Sequence, residues 1–82
     1  MNNKGFAAAI NNAIEKGDQI RVTMVCPSGV IVTDVVPDGI EEDGGVIIVH
    51  HGNNFIKVHD AMMQDGNEWF ADDKDSEICF TF

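Results

Sequence analysis

The chain has 82 residues, 44% hydrophobic and 23% charged, with a formal net charge of −9. That length holds one domain, residues 1–82, and that apolar content can bury a core, which excludes a disordered chain. The charge is segregated, with two acids against three bases in residues 1–33 and twelve acids against Lys57 and Lys74 in residues 34–82; such a field attracts cations and basic protein surfaces and repels nucleic acid and anionic membrane.

Residues 3–16 read as an amphipathic helix. Asn2 or Asn3 caps it, Phe6, Ile10 and Ile14 recur at a spacing of four beside Ala7 and Ala13, and Gly17 ends it. A β meander over residues 18–82 follows. In the first strand Ile20, Val22, Met24 and Cys26 share one face. Pro27-Ser28-Gly29 turns the chain, and Val30 to Val36 returns. The broken alternation around Thr33 and Asp34 predicts a bulge or sharp bend there.

Pro37 to Gly45 reads as a long polar loop with four acids and no base. Val46 to His51 and Asn54 to Val58 form a hairpin about Gly52-Asn53, because glycine leads a type II′ turn. The register pairs His51 with Asn54, His50 with Phe55, Val49 with Ile56 and Ile47 with Val58, placing Ile47, Val49, Ile56 and Val58 on the core face. Asp60 to Gln64 can make one helical turn. Asn67 to Ala71 is a short strand with Trp69 and Phe70 on opposite faces, Asp72 to Asp75 a turn, and Glu77 to Phe82 a strand facing the core with Ile78, Phe80 and Phe82. The fold class expected is mainly β (α+β): an N-terminal helix, then a five- to six-stranded, strongly bent antiparallel sheet or a small barrel.

The longest apolar run is about half a dozen residues, too short to span a membrane, and the N-terminus lacks the long apolar stretch of a signal peptide. A cytoplasmic setting follows, in a cell or as a viral product inside one. Cys26 and Cys79 lie in apolar strand-like runs without a Cys-x-x-Cys spacing and read as buried thiols.

Specific chemistry is sparse. His50 and His51 are adjacent on a strand and point to opposite faces, and His59 lies about 13 Å away along it, so no metal site is expected. The clusters Glu41-Glu42-Asp43 and Asp72-Asp73-Lys74-Asp75 lack calcium-loop spacing. No Gly-x-Ser-x-Gly surrounds Ser28 or Ser76, and Gly44-Gly45 lacks the lysine of a phosphate loop. No catalytic residue, enzyme activity or cofactor is expected.

The helix, the strand Ile20-x-Val22-x-Met24, Gly29, and the hairpin from Val46 to Val58 resemble an Sm-like barrel over residues 3–58. That resemblance implies a ring-forming barrel with RNA as the usual ligand. His51 stands where the second Sm motif has its RNA-contacting arginine, a strand is missing between Val36 and Val46, and the net charge opposes phosphate. RNA binding is therefore not carried over. An oligomeric barrel holding a small ligand or a partner protein between subunits is the alternative reading.

The leading reading is a binding protein that presents carboxylates to a basic surface, in its strongest form a nucleic-acid mimic acting on a nucleic-acid-binding protein. In size and acidity the chain is similar to phage-encoded inhibitors of host defence, including anti-CRISPR proteins. The candidate partner-binding residues are Asp38, Glu41, Glu42, Asp43, Asp65, Glu68, Trp69, Asp72, Asp73 and Asp75, with Trp69 as an exposed aromatic rimmed by acids. A homo-oligomer is compatible with so small a core.

Overall fold

The computed structural model describes residues 3–58, 62–73 and 75–82. His59, Asp60, Ala61 and Lys74 lie outside the described residues, and so does part of the helical turn expected at 60–64.

Helix α1 spans Asn3–Lys16. Phe6, Ile10 and Ala13 are buried on one stripe, with Ala7 and Ile14 packed beside them. Gly17, at φ 67°, ends the helix because a left-handed residue costs glycine nothing. The Gly17 N–H donates to the Ile14 carbonyl at 3.2 Å and the Asp18 N–H to the Ala13 carbonyl at 2.9 Å, closing a Schellman motif.

Among the described residues eight strands follow: β1 (Ile20–Cys26), β2 (Gly29–Val35), β3 (Gly39–Asp43), β4 (Val46–His51), β5 (Asn54–Val58), β6 (Met63–Asp65), β7 (Glu68–Asp73) and β8 (Ser76–Thr81). They form two antiparallel sheets, one ordered β2-β1-β8-β7-β6 and the other β3-β4-β5. The sheets do not close into a barrel. Both turn their apolar faces to one core, where Phe6, Phe80, Val22 and Val49 are fully buried with Ile10, Ile20, Ile47, Val58 and Met62. Among the described residues no helix is long and apolar enough to cross a membrane.

The β4–β5 register is the expected one, His51 opposite Asn54 through Ile47 opposite Val58. Three expectations change. The polar loop is strand β3, paired with β4 from Gly39–His50 to Asp43–Val46. A sheet edge accepts carboxylates on its open side, so the acids do not prevent pairing. No bulge interrupts β2, which pairs with β1 without a break from Ile20–Val35 to Cys26–Gly29. Its alternation fails because, at the edge of the sheet, Gly29 to Val32 are exposed on both faces, and the core covers the strand only at Val35. Met63 to Asp65 is strand rather than helix, paired with β7 across a Gly66-Asn67 turn.

Candidate functional site

The registers arrange the outer face of the large sheet in rows that run across the strands. The middle row is Val32, Thr23, Cys79, Phe70 and Met63. On one side of it run Asp34, Arg21, Thr81, Glu68 and Asp65, and on the other Val30, Val25, Glu77 and Asp72. Alternation sends the intervening Trp69, Ala71, Ile78 and Phe80 into the core. An apolar stripe thus crosses the sheet, and at its β6–β8 end carboxylates flank it on both sides. Neighbouring strands are about 4.8 Å apart and alternate residues about 6.8 Å, so those carboxylates bracket Phe70 closely.

The two ends of this face differ electrostatically. At the β2 end Arg21 Nε donates to Asp34 Oδ1 at 3.0 Å and Nη2 to Oδ2 at 3.4 Å. That guanidinium holds the Asp34 carboxyl below its ordinary range. At the other end Asp65, Glu68, Asp72 and Glu77 form no ion pair within 4.0 Å among the described residues, and Lys57 shares only a cleft lining with Glu77. Asp72 and Glu77 are directly opposite across β7 and β8. A hydrogen bond with Asp72, then burial and the Asp72 charge, push the Glu77 carboxyl up. Like charges directly across a strand pair are unfavourable, and a cation laid over them relieves that.

A second group of acids lies on or beside the small sheet. Asp38 is structural: its Oδ2 accepts from the Gly52 N–H at 2.9 Å and its N–H donates to the His50 carbonyl at 2.9 Å, bracing the β4–β5 turn. Glu41 Oε1 lies 3.1 Å from His50 Nε2. Glu42 and Asp43 are exposed at the end of β3. On the outer face of this sheet Lys57 Nζ sits 5.7 Å from the Phe55 ring centre. The outer faces of both sheets point away from their shared core, so Glu41 and the β6–β8 carboxylates do not form one surface.

Of the ten sequence candidates, Asp65, Glu68 and Asp72 come together on one face. Asp75 is exposed in the turn between β7 and β8, and Asp73 closes β7 opposite Ser76. Asp38, Glu41, Glu42 and Asp43 form a separate group. Trp69 is corrected outright. It is 5% exposed and packs 6.2 Å from Phe6, so it is core. The aromatic on the acid-rimmed face is its neighbour Phe70. Sequence reasoning also missed Glu77 and Cys79, which strand alternation in 77–82 would have placed opposite 68–72 once β7 and β8 were paired.

Both cysteines are free and half-buried rather than fully buried. Cys79, on the outer stripe, donates to Glu68 Oε2 at 3.7 Å, and burial pushes its thiol up. Cys26 Sγ lies 3.3 Å from Ser28 Oγ, whose hydrogen bond pulls its thiol down. Cys26 also borders an open, mostly apolar cleft of about 290 Å³ with Met24, Ile31, Val58 and Ile78. Among the described residues no three His, Cys, Asp or Glu side chains converge to hold a metal ion.

No protein-family model, curated protein or solved structure matches this chain.

Proposed function

We propose that this chain is an acidic binding protein whose β6–β8 face docks on the basic surface of a nucleic-acid-binding protein and takes the place of nucleic acid there. The observation that supports this reading is the bracketing of Phe70, Cys79 and Met63 by Asp65, Glu68, Asp72 and Glu77 on one face of the large sheet. A basic groove would meet carboxylates fixed by a β-sheet rather than carried on a flexible tail, so little ordering entropy opposes docking. An arginine there can pair with a carboxylate and stack on Phe70 with the same guanidinium. Inhibition follows if that groove is where the partner holds its own nucleic acid. A small phage-encoded inhibitor of host defence is the biological setting that fits this chemistry.

Capture from lysate on the immobilised chain tests it, with three comparisons. Bound proteins should be nucleic-acid binders, should elute steeply between low and high salt, and should be displaced by added duplex DNA or RNA. The triple variant Asp65→Lys, Glu68→Lys, Asp72→Lys should capture none of them. Capture that ignores salt, competitor and the triple variant alike would refute the reading.

A further inference from the structure

We infer that the open edge of β2 pairs with β2 of a second copy, joining two large sheets into one continuous ten-stranded sheet. The sheets present four edges, and three of them are guarded. Strand β6 is only three residues long, β3 carries three carboxylates in five residues, and β5 carries Lys57. Short length and charge are the usual devices that stop a sheet from adding strands.

Strand β2 has neither device. It runs seven residues, Gly-Val-Ile-Val-Thr-Asp-Val, with no lysine and no proline. Its single charge, Asp34, is already matched by Arg21 within the same copy. Val30, Ile31 and Val32 are 61%, 55% and 56% exposed, so three consecutive apolar side chains stand in water on both faces of an unpaired edge. A long, unpaired, apolar edge is a template for another strand.

Charge selects the occupant. A basic partner is drawn to the carboxylates of β3 and β6–β8. A second copy, itself at −9, is repelled from those regions and meets no net charge at β2. Two-fold symmetry then sets the register. An axis perpendicular to the sheet keeps each copy's outer face on the same side, so each β2 residue must lie opposite one of the same parity. Centring on Ile31 places Ile31 opposite its own copy and Val30 opposite Val32 twice, apolar against apolar. Centring on Val32 places Val30 opposite Asp34, which is the poorer match. This pairing is independent of the partner surface proposed above.

Light scattering on the intact chain across micromolar concentrations is the first test. A mass of two chains is expected. The dimer should tighten as salt rises, because salt screens the repulsion between two acidic copies; a basic partner complex responds in the opposite sense. Val32→Lys should lose the dimer at a concentration where the parent is dimeric, with an unchanged circular dichroism spectrum. Val30→Lys serves as a second edge variant. In a background of Cys26→Ser and Cys79→Ser, Ile31→Cys should form a covalent dimer under oxidised glutathione, since opposed residues stand about 4.5–5.5 Å apart at Cα, within disulfide reach. A single-chain mass throughout, a dimer that survives both lysine variants, or failure of Ile31→Cys to cross-link would each overturn the inference.

Discussion

Replacing Phe6 by alanine should remove a large share of the stability of this fold. Phe6 is 0% exposed and is the one helix residue whose ring meets three others, Phe80 at 4.8 Å, Trp69 at 6.2 Å and Phe82 at 6.4 Å between centroids. A buried Phe→Ala change costs about 3–5 kcal/mol from lost transfer energy and the cavity left behind. Tilted aromatic pairs add about 0.5–1.5 kcal/mol each beyond burial, so a loss no smaller than the middle of that range, about 4 kcal/mol, is expected. A domain of this length holds roughly 4–12 kcal/mol in all. Urea unfolding followed by fluorescence of Trp69, the only tryptophan in the chain, reads the change directly. With a slope of about 1.3 kcal/mol/M the midpoint should fall by about 3 M. Phe82→Ala removes one of the longer contacts from a half-buried ring and should cost less. A Phe6→Ala loss under about 1.5 kcal/mol, or a greater loss in Phe82→Ala, would show that the aromatic cluster does not anchor the helix to the large sheet.

Glu77→Gln tests the carboxylate pair. The folded carboxyl lies above its ordinary value because of Asp72, so native stability falls as pH rises through that raised value and stays reduced above it. The variant should melt higher than the parent at pH 7 and no differently near pH 3.5, where the carboxyl is protonated in both states; equal melting at both values would remove the repulsion argument. Asp34 works in the opposite sense, since Arg21 lowers its pKa; the stability it contributes is present above its ordinary value and should be lost on acidification, a loss absent from Asp34→Asn in thermal melts. Asp38→Ala removes the acceptor of the Gly52 N–H and should cost about 1 kcal/mol in urea unfolding, with faster hydrogen exchange at the β4–β5 turn. Glu42→Lys with Asp43→Lys lies off the proposed docking face and should leave partner capture largely intact; complete loss would relocate the site to β3.

Helix α1 and the β4–β5 hairpin were readable because each obeys one period and ends on one decisive glycine. Gly17 closes the helix and Gly52, at φ 62°, turns the hairpin. Strand β3 was hidden by its carboxylates, which made a paired edge look like a loop. The signal that could have revealed it was Gly44-Gly45, both at positive φ, a two-residue turn ahead of a clear strand. Strand β6 was hidden by its length, three residues with helix-favouring Met and Gln. The choice between Trp69 and Phe70 depended on which face of β7 meets the helix. That is decided by tertiary contact with Phe6 and leaves no trace in residues 68–72 alone. The proposed face joins β6, β7 and β8, so it cannot be drawn with β6 read as a helical turn.

Strand β8 sits between β1 and β7 and joins the β1–β2 hairpin to the β6–β7 hairpin in the large sheet. It is also the last of the eight to leave the ribosome. During synthesis the two hairpins therefore lack the strand that hydrogen-bonds to both, and Phe6 has Trp69 but not Phe80. The nascent chain cannot lay down this sheet strand by strand. Assembly comes in one late step, and a clip or premature stop before residue 76 leaves two unjoined halves.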